Sequence, residues 1–168
     1  MPPVSRVTAR HLHHATGYLG LGMLNEASDE LEAIDGEDRL SDDVLRLRSD
    51  LYMQAKEWDL LIAVARELAR RDPEYNNAWI DWAYALRELD RVPEAKAVLL
   101  EAEPVHGKKC ATLHYNLACY HCLLGELEDA KTRLRRACQM EERLKADALD
   151  DPDLKALWAS WDPAQLEQ

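Results

Sequence analysis

The residues with the clearest potential for chemistry are two cysteines, Cys119 and Cys122, which lie three positions apart. On a helix this spacing puts both thiols on one face. Such a pair becomes redox-active when its first thiol lies at a helix N-terminus, which lowers the thiol pKa, but the surrounding pattern places both cysteines in mid-helix. A zinc site would need a second pair of ligands, and the sequence has no second Cys-x-x-Cys. We expect small groove residues, with a metal or redox protein using Cys119 and Cys122 as an alternative.

No other pattern in the sequence indicates catalysis, so we expect no enzyme activity. The sequence contains no Gly-rich phosphate loop, no nucleophile elbow and no metalloprotease motif. Three histidines, His11, His13 and His14, cluster near the N-terminus, but no nearby cysteine or acidic cluster completes a ligand set. We therefore expect no bound metal and no cofactor.

The elements that carry the cysteines and the residues after them are amphipathic helices. The apolar residues of the first helix recur at steps of four, three and four, and those of the second at three, four and three. They are, in order, Leu113, Leu117, Tyr120 and Leu124, then Leu127, Ala130, Leu134 and Ala137. The short break at Gly125 predicts an antiparallel helix pair. Such a pair cannot bury both apolar stripes alone, so similar pairs should stack on it.

The pattern of this helix pair repeats through the chain. Steps of 35, 34 and 34 residues back from Ala130 reach Ala95, Leu61 and Ala27. Further columns in the same register begin at His121, Leu124, Leu134 and Ala137. A period near 34 with two helices in each unit is typical of an all-α helical solenoid.

The units resemble tetratricopeptide repeats, most clearly in the third and fourth. The matching residues are Trp79, Trp82, Ala83, Leu86, Ala95, Leu99 and Ala102, then Leu117, Ala118, Gly125, Ala130, Leu134 and Ala137. The resemblance covers roughly residues 8–143 and implies a right-handed helical solenoid of about four helix-turn-helix units, at about 8–41, 42–75, 76–109 and 111–143. Two departures are Lys56 and Asp90, which replace the usual turn glycine.

The two ends of the chain lie outside the repeats. Residues 1–7 contain two prolines and no periodicity, so we expect them to be mobile and the first helix to begin near Thr8. Residues 144–168 should form a capping helix and tail, with Asp151 as N-cap and Pro152 at the first helical position. The apolar residues expected to cover the last repeat are Leu154, Leu157, Trp158 and Trp161. This segment resembles a tail of bacterial proteins of the family.

In this family the first helix of each unit lines a concave groove, so the resemblance implies a set of groove residues. By repeat position they are Leu12, Thr16 and Leu19; Arg46, Asp50 and Met53; Ile80, Tyr84 and Arg87; and Tyr115, Cys119 and Cys122, with Asn116 beside them. Exposed Tyr, Met and Arg are typical of binding surfaces. Tyr84, Arg87 and Tyr115 are the strongest candidates for partner contacts, although Ile80 and Tyr115 could instead only pack between helices.

One subclass of the family binds the acidic C-terminus of heat-shock chaperones through a clamp of Lys, Asn and Arg. Starting from the second unit, the clamp positions hold Arg46, Asp50, Asp81, Thr112 and Asn116. The aspartates would repel a carboxylate terminus, so we exclude this mode of binding.

Composition and charge limit the remaining function classes. The formal net charge is −11, which argues against nucleic acid and favours basic or neutral partners. No apolar run approaches the roughly 18 to 20 residues that span a membrane, and the N-terminus lacks the apolar core of a secretory signal. We expect a cytoplasmic protein with free thiols and no membrane insertion.

These observations favour a non-enzymatic protein–protein interaction module that binds a peptide or helix of another protein in its groove. A small dedicated chaperone for a secreted or assembly-prone partner is a further alternative, by fold-level analogy with the translocator chaperones of type III secretion. We expect a monomer or a weak homo-oligomer.

Overall fold

The computed structural model describes residues 4–167, and every regular element in that range is helical. The α-helices are α1 (Arg6–Gly20), α2 (Leu24–Glu32), α3 (Asp42–Ala55), α4 (Trp58–Arg71), α5 (Asn76–Glu88), α6 (Val92–His106), α7 (Ala111–Leu123), α8 (Leu127–Met140), α9 (Leu144–Asp150) and α10 (Lys155–Trp158). Short 3-10 helices span Gly36–Leu40, Pro152–Leu154 and Pro163–Glu167. The predicted all-α fold is confirmed. None of these helices, within residues 4–167, is long and apolar enough to cross a membrane.

The chain divides into two compact halves, Met1–Asp81 and Trp82–Gln168, and the division falls within α5. In the N-terminal half, α1 packs on α2 and α3, and α3 packs on α4. In the C-terminal half, α7 packs on α6 and α8. The residue column that reveals the period is fully buried in both halves, because Ala27, Leu61, Ala95 and Ala130 are each 0% exposed.

Each of the four helix pairs has a turn between its two helices, and these four turns have the same backbone geometry. Gly22, Lys56, Asp90 and Gly125 all adopt positive φ, at 71°, 57°, 59° and 77°. In every turn the next residue's N–H donates to the carbonyl five positions earlier, with an N···O distance of 2.9 Å. This is the usual left-handed ending of a helix, which glycine adopts without strain. Lys56 and Asp90 therefore carry a backbone strain that Gly22 and Gly125 avoid.

The first helix begins earlier than the sequence predicts, at Arg6 rather than near Thr8. The reason is an N-cap, because the Ser5 hydroxyl accepts from the Thr8 N–H at 3.1 Å. The Ser5 N–H in turn donates to Asp38 Oδ2 at 2.9 Å. Residues 6 and 7 thus belong to α1, while residues 1–3 of the segment expected to be mobile lie outside the described residues.

The C-terminal cap consists of short helices rather than the single helix that the sequence predicts. Asp151 is extended and accepts from the Asp153 N–H at 2.9 Å, so α9 ends before it and a 3-10 turn follows. That turn packs on α7, and α10 packs on α7 and α8. Leu154 and Leu157 are both 0% exposed, and the ring of Trp158 stacks on Trp161 with centroids 5.5 Å apart. The segment thus places Leu154 and Leu157 in the interior, in elements that pack on the last helix pair.

Candidate functional site

Within residues 4–167, each half of the molecule contains a cleft built on the helices that the resemblance assigns to the groove. The N-terminal cleft has a volume of about 220 Å³ and is lined by Thr16, Leu19, Leu47, Asp50, Met53, Gln54 and Asp81. The C-terminal cleft has a volume of about 400 Å³ and is lined by Tyr84, Arg87, Glu88, Tyr115, Asn116, Cys119, Tyr120, Asp151, Pro152 and Asp153. Most of the groove residues expected from the sequence lie in one of these two clefts.

Four of the expected groove residues lie outside the linings of the two clefts. Leu12 is half-buried and packs against the core of the N-terminal half, and Ile80 is also half-buried. The Arg46 guanidinium lies 4.4 Å from the centre of the Tyr75 ring. Cys122 is only 2% exposed, so its thiol is part of the interior.

The N-terminal cleft has apolar walls from two helices. Leu19 of α1 is buried, and Leu47 and Met53 of α3 are half-buried. Thr16 is exposed at the mouth, and its hydroxyl donates to the Leu12 carbonyl at 2.8 Å, so it is already hydrogen-bonded within α1. Leu19, Leu47 and Met53 therefore offer apolar surface to a ligand.

Two carboxylates complete the N-terminal cleft. Asp81 Oδ2 accepts from the Ser49 hydroxyl at 3.0 Å. Burial, reinforced by the nearby charge of Asp50, raises the pKa of Asp81 to about 6 against the lowering effect of Ser49. Partial burial also raises the pKa of Asp50, whose side chain is exposed at the mouth of the cleft. Among the described residues of the N-terminal half, neither carboxylate forms an ion pair with a Lys, Arg or His side chain.

The chain's own acidic turn, Asp151–Asp153, forms one wall of the C-terminal cleft. Arg87 donates from Nε to Asp153 Oδ2 at 2.7 Å, and its Nη2 pairs with the other carboxylate oxygen. The Tyr115 hydroxyl donates to Asp151 Oδ2 at 2.8 Å. Cys119 Sγ approaches the same oxygen at 3.6 Å. Three side chains expected to contact a partner therefore contact the C-terminal segment.

Burial and the acidic turn together favour the protonated forms of these side chains. Burial, and then the charge of Asp151, raise the pKa of the Cys119 thiol well above its ordinary value. Burial and the hydrogen bond to Asp151 raise the pKa of Tyr115, and the hydrogen bond to Asp153 raises the pKa of Arg87. A protonated Cys119 is a poor nucleophile, which is the opposite of what redox chemistry at a Cys-x-x-Cys requires.

Two groups of possible metal ligands occur in the described part of the chain, and nearby cations engage both. Cys119, Asp151 and Asp153 have ligand atoms within 4.8 Å of one another, as do His121, Glu126 and Asp129. In the first group Arg87 pairs with both oxygens of Asp153. In the second, Lys96 Nζ lies 2.7 Å from Glu126 Oε2. Because these cations already pair with the carboxylates, both groups are described as ion-pair networks.

Sequence reasoning missed four acidic residues of the clefts, Asp81, Glu88, Asp151 and Asp153. Asp81 is visible in the sequence as a clamp position, where it argues only against an acidic ligand. Asp151 and Asp153 carry a helix-start signal, which describes their local backbone and not their contacts. Tyr115 lies 36 positions from Asp151, and Arg87 lies 66 positions from Asp153, so no local pattern could indicate these pairs.

Comparisons with known proteins identify the fold alone. No family model matches the chain, and no curated protein matches it. The solved structure of TTC0263, a thermophilic TPR protein in Thermus thermophilus, is 21% identical, with a TM-score of 0.67 over 90% of this chain and 87% of that one. A double mutant of MamA RS-1 is 14% identical, with a TM-score of 0.72 over 98% and 97%. MamA AMB-1 is 12% identical, with a TM-score of 0.68 over 95% and 88%. The chain has the tetratricopeptide repeat fold.

Proposed function

We propose that this chain, with its tetratricopeptide repeat fold, is a non-enzymatic protein–protein interaction module that binds a peptide or helix of a partner protein in the N-terminal cleft. The observation that carries the proposal is the contrast in what the groove side chains of the two clefts contact. Groove positions in the C-terminal cleft contact Asp151 and Asp153 of the same chain. The N-terminal cleft is lined by side chains of α1, α3 and α5 only, so its apolar walls remain available.

The chemistry of the N-terminal cleft supports binding rather than catalysis. The Thr16 hydroxyl already donates to a carbonyl of its own helix, so its proton is not directed at a base that would activate it as a nucleophile. Leu19, Leu47 and Met53 provide the apolar surface that dominates the core of a peptide-binding site. The unbranched side chain of Met53 can adapt to ligands of different shape.

The C-terminal cleft keeps one exposed candidate for partner contact. Tyr84 is 38% exposed, whereas Cys119 is 4% exposed and Tyr115 is half-buried with its hydroxyl on Asp151. A partner bound in the N-terminal cleft should therefore tolerate changes at Tyr84. This reverses the sequence-based preference for Tyr84, Arg87 and Tyr115 as the main contacts.

A variant that fills the N-terminal cleft tests the proposal. Thr16→Trp puts a large ring at the mouth of the cleft from an exposed position, so it should abolish partner capture without unfolding the chain. His13→Trp, at an exposed position of the same helix outside the cleft lining, is the matched control. Affinity capture read by mass spectrometry should show a protein retained by wild type and His13→Trp but lost by Thr16→Trp. Identical protein lists for all three would contradict the assignment of the cleft.

A further inference from the structure

We infer that the N-terminal cleft selects a partner segment carrying a lysine or arginine, whose cationic head lies between the carboxylates of Asp50 and Asp81. The aliphatic stem of that side chain, and an apolar neighbour in the segment, would lie on the apolar walls. The inference rests on the proposed function and adds the chemical class of the ligand.

The arrangement of the two carboxylates supports a cationic ligand. Asp81 comes from α5 and Asp50 from α3, so the two acids reach the cleft from different helices. The Ser49 hydroxyl, 3.0 Å from Asp81 Oδ2, fixes the orientation of the more buried carboxylate. Asp50 is exposed at the mouth. A side chain entering from solvent would pass Asp50 and end at Asp81, and both charges would attract a cation.

The charged neighbours of this pair are directed elsewhere. Arg46 lies on the same helix as Asp50, and its guanidinium stacks on the Tyr75 ring at 4.4 Å. Its Nη2 lies 3.5 Å from Asp72 Oδ2, so its ion pair is formed with a residue outside the cleft lining. Burial raises the pKa of Tyr75, and the charges of Arg46, Asp81 and Asp50 also act on this pKa. The pair of carboxylates in the cleft therefore keeps an excess of negative charge.

The apolar walls make a long basic side chain a better fit than a small cation. Leu19, Leu47 and Met53 line the same cleft as the two acids. Lysine and arginine bury their methylene stems on such surface while the charged head reaches a carboxylate. A small cation would use the carboxylates and leave the walls uncovered, whereas an acidic segment would be repelled.

Selection from a random peptide library displayed on phage, with the full chain as bait, tests the inference. Peptides whose binding is lost in Thr16→Trp are the cleft ligands, and we expect each of them to contain an essential Lys or Arg. Replacing that residue with uncharged norleucine should weaken binding at least about tenfold, the usual scale for a charge-assisted hydrogen bond. Asp81→Asn should cause a loss of similar size, and Asp59→Asn, an exposed acid on α4, should cause none.

The pH dependence gives a second readout. Because burial holds the pKa of Asp81 near 6, affinity for a lysine peptide should fall as the pH drops through that value. The fall should disappear in Asp81→Asn.

The possible outcomes separate this inference from the proposed function. Cleft ligands that keep their affinity after the norleucine replacement, or in Asp81→Asn, would overturn the basic ligand and leave the cleft as a binding site. A library that yields no peptide sensitive to Thr16→Trp would overturn both. Loss of binding after addition of a chelator would indicate a bridging divalent cation and would also contradict direct recognition of the basic side chain.

Discussion

The two clefts occupy corresponding places in the repeats and differ in what their acidic groups contact. In the C-terminal cleft the acids come from the tail, and Asp153 meets a cation of the same chain, Arg87. In the N-terminal cleft the acids belong to the walls, and the described residues of that half place no cation on Asp50 or Asp81. Repeat position alone therefore does not make a residue a ligand contact. The place where the tail folds back determines which groove side chains remain available to a partner.

The largest change in the free energy of unfolding should come from weakening the packing of the tail. Leu157 is 0% exposed in α10, which packs on α7 and α8. Leu157→Ala should lower the free energy of unfolding by about 2–5 kcal/mol, because it leaves a cavity in a closed interior. Leu149→Ala, at a residue that is 52% exposed in α9, is the matched control and should change it little. Urea denaturation followed by circular dichroism measures both. A small loss in Leu157→Ala would mean that the tail is only loosely held, and the contrast between the clefts would then fail.

A smaller effect, of opposite sign, is expected in the N-terminal cleft. The pKa of Asp81 is raised to about 6 in the folded chain, above the unfolded value near 4, so folding favours its protonated form. Stability from this group is present below about pH 4 and is lost as the pH rises through about 6. Asp81→Asn, which can still accept from Ser49, should therefore stabilise the chain at pH 7 by roughly 1–3 kcal/mol.

The stabilisation by Asp81→Asn should shrink towards zero near pH 4, and urea denaturation at several pH values would show it. Asp59→Asn provides the background change for removing one exposed acid from the same half. A variant that is more stable and yet binds less well would show that the cleft retains Asp81 for ligand recognition. A gain in stability that is the same at all pH values would rule out this account of Asp81.

The smallest effect tests whether the two halves share the same repeat backbone. Lys56 and Asp90 hold left-handed φ values of 57° and 59° in equivalent turns. Lys56→Gly and Asp90→Gly should each raise the free energy of unfolding by about 1 kcal/mol, since glycine removes the strain of that conformation. Gly125→Ala, at φ 77°, should lower it by a similar amount. A destabilising Lys56→Gly would show that the unfolded-state entropy of glycine outweighs the relief of strain.

The sequence predicted those features that repeat and failed where the chain stops repeating. The column from Ala27 to Ala130 is buried because a period near 34 brings the same face of each unit to its neighbours. The turn positions follow from the same register, including Lys56 and Asp90. The contacts of Asp151 and Asp153 depend instead on where a non-repeating tail folds back, and helix-start signals describe only its local backbone.

The candidate groove residues show the same limit of sequence-based prediction. Thr16, Leu19, Asp50 and Met53, which the repeat register assigns to the groove, line one cleft. Burial of Cys122 and the engagement of Tyr115 could not be read from the register, since both depend on the tail. The raised pKa of Asp81 arises from burial and from Asp50, 31 positions earlier in the sequence, and only a folded structure brings these two acids together.

An amide NMR titration of the isotope-labelled full chain, with a lysine peptide from the library selection, tests most directly whether the peptide binds in the N-terminal cleft. Binding in this cleft predicts chemical-shift changes at the amides that line it, including those of Asp50 and Met53, and unchanged amide signals around Tyr115 and Asp153. It also predicts that the shifts vanish in Asp81→Asn. Shifts centred on Tyr115 and Asp153 would mean that the peptide displaces the tail from the C-terminal cleft, and the assignment of the open site would be wrong.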